Sequence, residues 1–157
     1  IFLLGGYPSS RVTVATVQVY DPAADRWELT TPLPIPLNHS MAATVNGRLY
    51  IIGGQLTEGG NGNFSDRVFE LDPVARQWRE RARMPTARGA GVAVALDGKI
   101  YVAGSRPPRG ADFAVYDPAV DSWRTLPDVP TQRNHLAGAA LNGKLYIVGG
   151  QIGRAHV

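Results

Sequence analysis

The sequence predicts an all-β fold of repeated four-stranded antiparallel units, about three of them in 157 residues. Three observations carry this expectation. First, four markers recur in one register, at intervals of 51 and then 45 residues: Trp27, Trp78 and Trp123; Tyr20-Asp21-Pro22, Leu71-Asp72-Pro73 and Tyr116-Asp117-Pro118; Asn46-Gly47, Asp97-Gly98 and Asn142-Gly143; Pro34, Pro85 and Pro130. Second, the apolar runs between the markers are strand-length and alternate. Third, 18 Gly and 12 Pro suit many tight turns.

Each element has a local cause. Strands A and B of a unit close on the Asn-Gly or Asp-Gly pair, as in MAATVNGRLYIIGG and VAVALDGKIYVAGS. A two-residue type I′ turn needs positive φ at both central residues, which these residues tolerate. Strand B ends at Gly5-Gly6, Gly53-Gly54, Gly104-Ser105 or Gly149-Gly150. There a missing side chain lets a neighbouring ring or backbone approach. Strand C is short and alternating: VATVQVYD, RVFELD and FAVYD. The Asp-Pro pair that follows sets a tight turn, Pro fixing φ and Asp bonding forward to the backbone. Strand D carries the Trp, seven residues after Tyr20, Leu71 or Tyr116.

A double Gly, then Tyr-Asp-Pro, then Trp, in units of 51 and 45 residues, resembles the Kelch repeat, with Ser105 and Leu71 as departures. The resemblance covers Ile1 to Gln151 and implies a Kelch-type β-propeller fragment of about three four-stranded antiparallel blades. On that alignment residues 1–30 are strands B to D of a cut blade, 34–82 and 85–127 are blades, and 130–151 are strands A and B of another cut one. Propellers close with about four to eight blades, so the remainder of the ring is needed for closure. The terminal IGRAHV, residues 152–157, breaks the repeat and resembles translated sequencing adapter. It reads as a non-native tail, without which the net charge is +2 rather than +3.

Spacing names a rim. From Tyr20 to Gly53, Leu71 to Gly104 and Tyr116 to Gly149 the distance is 33 residues each time. From Gly5 to Tyr20, Gly53 to Leu71 and Gly104 to Tyr116 it is 15, 18 and 12. The variation lies in the B–C loops, Tyr7 to Arg11, Gln55 to Ser65 and Arg106 to Ala111. These loops share a rim with the D–A connections, and binding tends to live in variable loops on a rigid scaffold. Aligning on the turns makes Asn38-His39, Gly89-Ala90 and Asn134-His135 equivalent, preceded by Leu37, Arg88 and Arg133. The Kelch resemblance implies an innermost strand A, which would set these residues around the mouth of a central channel. Asn38, His39, Arg88, Arg133, Asn134 and His135 are therefore the candidate ligand-binding residues. A competing structural role has the Arg and His satisfying carbonyls between blades.

No catalytic constellation assembles, and no cofactor or metal is expected. Galactose oxidase has a Kelch-like propeller, and its copper needs a Tyr linked to Cys, another Tyr and two His, whereas this chain has no Cys. The iron-binding spacing of plant Kelch specifier proteins is broken, because Gly62 and Val74 stand four residues after Glu58 and Glu70. The run Gly59-Gly60-Asn61-Gly62 lacks the Lys-Ser/Thr of a phosphate loop. Arg76, Arg79, Arg81 and Arg83 read as charge that blunts an outer strand rather than as a nucleic-acid surface. No stretch reaches the roughly 18 apolar residues of a membrane span.

The leading reading is a non-catalytic scaffold for protein or glycan ligands on the B–C rim. The alternative is a carbohydrate-active propeller, either sialic acid mutarotase-like or the propeller domain of a galactose-oxidase-like enzyme. The cations are Arg except for Lys99 and Lys144, which with abundant Ala, Gly and Pro fits a GC-rich, bacterial-type coding sequence. The chain opens at Ile1 without an initiator Met, so secreted, periplasmic and cytoplasmic locations are all compatible with it.

Overall fold

A computed structural model describes residues 1–57 and 62–152. Residues 58–61 of the second B–C loop, with most of the Gly run, and residues 153–157 of the expected tail lie outside the described residues. The fold is all-β. The first sheet holds β1 (Phe2–Leu4), β2 (Val17–Asp21) and β3 (Arg26–Thr30); the second holds β4 (Met41–Val45), β5 (Arg48–Ile52), β6 (Val68–Asp72) and β7 (Gln77–Arg81). The third holds β8 (Val92–Leu96), β9 (Lys99–Ala103), β10 (Phe113–Asp117) and β11 (Ser122–Leu126), and the last β12 (Ala137–Leu141) and β13 (Lys144–Val148). Strands in every sheet run antiparallel in sequence order.

The turns form for the reasons the residues give. Asn46 and Gly47 have φ of 49° and 73°, and Asp97-Gly98 and Asn142-Gly143 repeat these values closely, as a type I′ hairpin requires. At each C–D turn the Asp carboxylate accepts from the backbone ahead: Asp21 from Ala23 N–H at 2.9 Å, Asp72 from Val74 N–H at 2.9 Å, Asp117 from Ala119 N–H at 3.0 Å.

Sheets stack through their first strands. β4 packs against β8 and β8 against β12, so the A strands stand side by side and the D strands lie outermost. This is the propeller arrangement that the repeat implies. One core layer, with Met41, Tyr50, Ile52, Val68, Ile100, Val102 and Tyr116, fills the space between the second and third sheets; Val17, Leu33, Leu37, Ile51 and Phe69 fill that between the first and second. The repeated Trp bolts each sheet to the one before it: Trp78 Nε1–H donates to Thr31 O at 3.2 Å and Trp123 Nε1–H to Ala82 O at 2.8 Å.

The Leu71 departure has a partner change. Tyr20 donates its hydroxyl to Asp25 at 2.6 Å and Tyr116 to Asp121 at 2.6 Å. Where Leu71 removes the hydroxyl, Arg76 stands at the carboxylate's position. Acceptor and donor are lost together, so no buried polar group is orphaned.

Candidate functional site

The double Gly fixes how closely neighbouring sheets approach. An added Cβ on Gly5 would lie 2.2 Å from Leu37 O, on Gly53 2.3 Å from Arg88 O, and on Gly104 2.6 Å from Arg133 O. The residue after each of these glycines donates its N–H to that same carbonyl: Gly6 to Leu37 at 2.8 Å, Gly54 to Arg88 at 2.8 Å, Ser105 to Arg133 at 3.0 Å. Ser105 keeps the donated N–H and, unlike Gly6, Gly54 and Gly150, does not sit at positive φ, so a side chain is accommodated at this second position.

This seam delivers the next residues to the axis. Ala90 N–H donates to His39 O at 2.8 Å and His135 N–H to Ala90 O at 2.7 Å, a backbone chain running from sheet to sheet. His39, Ala90 and His135 share a φ between 49° and 59°, which turns their side chains out of the strand pattern. The residue after the double Gly answers the one before them: Asn38 pairs with Gln55, Asn134 with Gln151, and Gly89 O accepts from Arg106 N–H at 3.1 Å.

His39 and His135 reach over the small Ala90 and meet edge to face, ring centroids 5.2 Å apart at 86°. Arg106 fills the gap that Ala90 leaves. Its Nη2 lies 3.3 Å from His39 Nε2 and 3.4 Å from His135 Nε2. Tyr7, from the first B–C loop, stands 5.9 Å from the His39 ring. Both tautomers follow from chemistry. Asn38 Nδ2–H donates to Thr13 Oγ1 at 2.7 Å, which turns Asn38 Oδ1 toward His39 Nδ1 at 2.6 Å. A carbonyl oxygen only accepts, so the proton sits on Nδ1 and the Nε2 lone pair faces Arg106. Asn134 Oδ1 lies 2.5 Å from His135 Nδ1 and accepts from that ring nitrogen.

Both imidazoles are held below the ordinary histidine range, first by burial and then by the Arg106 cation. Unfolded histidines titrate at about 6.5, so the neutral cluster supports the fold fully above that value. Its contribution is lost as the pH falls through the lower folded values.

Among the six residues singled out from the sequence, Asn38, His39, Asn134 and His135 come together here. The two arginines do not join them. Arg88 is fully buried, and its guanidinium donates to Asp112 O at 2.6 Å; Arg133 donates to Gly149 O at 2.7 Å. Arg106 and Tyr7 were not singled out individually, although one signal marks them: each directly follows the double-Gly position of its unit. Of Arg76, Arg79, Arg81 and Arg83, Arg81 pairs with Glu70 at 2.7 Å and Arg83 with Asp66 at 3.4 Å. Among the described residues no group of three or more His, Cys, Asp or Glu converges on a metal-sized space.

Comparison with known proteins agrees with the fold. The domain family described as the KLHDC2/KLHL20/DRC7 Kelch-repeats domain matches residues 1–154. Beta-scruin of Limulus polyphemus is 35% identical over 111 residues, covering 69% of this chain and 12% of that protein. Kelch-like protein 35 of Mus musculus is 32% identical over 111 residues, 70% of this chain and 18% of that one. F-box/kelch-repeat protein SKIP30 of Arabidopsis thaliana is 41% identical over 99 residues, 55% and 28% respectively. The match thus spans less than a third of each of these relatives. All three are eukaryotic, so they lend no support to the bacterial-type origin drawn from composition.

Proposed function

The chain belongs to the Kelch-repeat family, and on that premise we propose that it is part of a protein-binding propeller whose partner docks on the B–C rim, over the axial mouth. The carrying observation is the convergence of Tyr7, His39, Arg106 and His135 from four successive repeats onto one partly exposed spot. Aromatic and Arg side chains held in place are the residue types that dominate binding hot spots. Asn38 and Asn134 position the histidines rather than meet the ligand. A sugar isomerase or oxidase would place a carboxylate, or Cys and Tyr, with these histidines. Among the described residues the cation acting on both rings is Arg106.

Photo-crosslinking tests this in cells expressing the complete protein. A benzophenone side chain at Tyr7 is expected to capture a protein, while one at Val74, 92% exposed on the opposite rim, is not. Arg106→Ala is expected to cut the Tyr7 adduct about tenfold or more. Adducts from Val74 alone, or an adduct indifferent to Arg106, would refute the assignment.

The same reading makes the chain one arc of a closed ring. Leu3 and Leu29 of the first sheet are 52% and 72% exposed, and Tyr146 and Val148 of the last 46% and 57%. Apolar faces of this kind are covered by neighbouring blades in a ring, and left open they associate. The 157-residue chain by itself is therefore expected to run as oligomers in light scattering. A monodisperse monomer that melts cooperatively would sink that expectation.

A further inference from the structure

We propose that the cavity beside Arg88 is a subsite of the B–C rim that takes a neutral carboxamide, the side chain of an Asn or Gln presented by the protein partner. The inference rests on the docking reading of the rim only for the source of that side chain, not for the cavity or its chemistry.

The cavity has a volume of about 260 Å³, several times what one water needs. Arg88 reaches it from the segment between β7 and β8, Arg109 and Asp112 from that between β9 and β10, and Thr125 and Asp128 from the end of β11 and just beyond. Arg88 is fully buried, whereas Arg109, Thr125 and Asp128 are exposed. The first is therefore the floor and the others the lip.

The floor holds a donor without an acceptor. Arg88 Nη1–H donates to Asp112 O at 2.6 Å, but Arg88 Nε–H has no partner among the described residues. A buried N–H left unpaired is costly, more so on a charged group. The nearest carboxylate does not relieve it, because Asp112 Oδ2 accepts from Thr86 Oγ1 at 2.9 Å and faces Arg109 Nη1 at 3.9 Å. Burial holds the Arg88 guanidinium below its ordinary range; Asp112 and Asp128 act against that, and Arg109 adds to it.

The repeat shows that this set is particular to the third unit. The second unit carries Leu37, Arg67 and Arg83 at the positions of Arg88, Asp112 and Asp128, and Leu37 packs into the apolar core. The buried cation and its two carboxylates thus enter together. Balancing a buried charge accounts for the carboxylates, but not for the unpaired Nε–H.

The charges select the occupant. Arg88 and Arg109 against Asp112 and Asp128 leave the lining neutral. An anion bound for Nε–H would lie beside two carboxylates, and a cation beside two guanidinium groups. A carboxamide carries both complements without a net charge: its oxygen accepts from Arg88 Nε–H at the floor, and its NH₂ donates to Asp128 at the lip. Phe113 and Ala114 line the wall that its methylene stem would meet.

Propionamide, the side chain of Gln as a free molecule, is the probe, and propionate is its charged counterpart of nearly the same shape. In the complete protein, propionamide is expected to shift the Arg88 ¹Hε–¹⁵Nε signal saturably, with an affinity at least about tenfold above that of propionate. Asp128→Asn, at an exposed position, is expected to weaken propionamide about threefold and to strengthen propionate. Propionate binding as tightly as propionamide would overturn the proposal, as would an affinity ratio unchanged in Asp128→Asn. So would an Arg88 signal that neither compound moves, which would show that water suffices at the floor. Protein capture at Tyr7 tests the docking reading separately, so either result can fail without the other.

Discussion

Replacing Glu70 by alanine is expected to cost the fold about 3 kcal/mol, a shift in denaturant midpoint with no change in slope. Glu70 lies in the middle of β6 with its side chain 8% exposed, an unusual depth for a carboxylate. Two donors and a nearby cation hold it there: Arg81 Nε–H at 2.7 Å, Tyr50 O–H at 3.1 Å, and Arg48, whose Nε is 3.9 Å away and which also pairs with Asp72. Burial, then Glu70 itself, pushes the Tyr50 phenol up to about 12. Tyr50 in turn packs edge to face on Tyr116 of the next sheet, centroids 5.9 Å apart, so this carboxylate anchors the wall between two blades.

Alanine would strand the phenol and the Arg81 guanidinium against an apolar layer. Breaking such a buried pair costs about 3–5 kcal/mol. The lower end applies because Arg81 and Arg48 remain 31% and 41% exposed and can turn to water. Glu70→Gln keeps a group of the same shape that still accepts, and is expected to lose about 1 kcal/mol. A double-mutant cycle with Arg81→Ala separates the pair from the site. Coupling near zero, with Glu70→Ala costing under about 1 kcal/mol, would show that water rather than the ion pair solvates this carboxylate.

How much of this was legible beforehand follows from how locally each feature is determined. Strand order and turn type depend on residues a few positions apart, and Asn46-Gly47 or Asp72-Pro73 specify their turns almost alone. The period made Asn38-His39 and Asn134-His135 equivalent, and the Kelch resemblance implied the innermost strand A that would set them around one mouth. Arg106 escaped although it keeps the period, 51 residues after Gln55 and 45 before Gln151, because it opens a loop of varying length and its residue type is not repeated there. It is also defined by a deficit elsewhere: Ala90 vacates the place that its guanidinium fills. The fates of Arg88 and Arg133 were open for a different reason. A guanidinium before the Asn-His position can reach either the mouth or the carbonyl behind it, and only packing decides. Glu70, deep in a core strand, was read from its four-residue spacing alone, which says nothing about the two arginines that neutralise it.

Gly53→Ala is expected to cost about 3 kcal/mol or more and to disable the rim as well. Two penalties combine. Gly53 sits at φ 59°, where an L side chain costs about 1–2 kcal/mol. Its new Cβ would also stand 2.3 Å from Arg88 O and 2.7 Å from Met84 Cε. Met84 can move, but Arg88 O is backbone, fixed by the Gly54 N–H at 2.8 Å and continuous with Gly89 and Ala90. Relief must therefore come from sliding the third sheet away from the second. That shift pulls on the His39–Ala90–His135 chain and withdraws Arg106, whose N–H is tied to Gly89 O at 3.1 Å. Gly47→Ala supplies the comparison. It has φ 73° but nothing within 4 Å of the added Cβ, so it carries the backbone penalty alone, about 1–2 kcal/mol. If the two variants lose equal stability, the close approach at the double Gly is not what sets the spacing of the blades. If Gly53→Ala loses more yet leaves the His39 and His135 tautomers unchanged, the seam stabilises the fold without positioning the mouth.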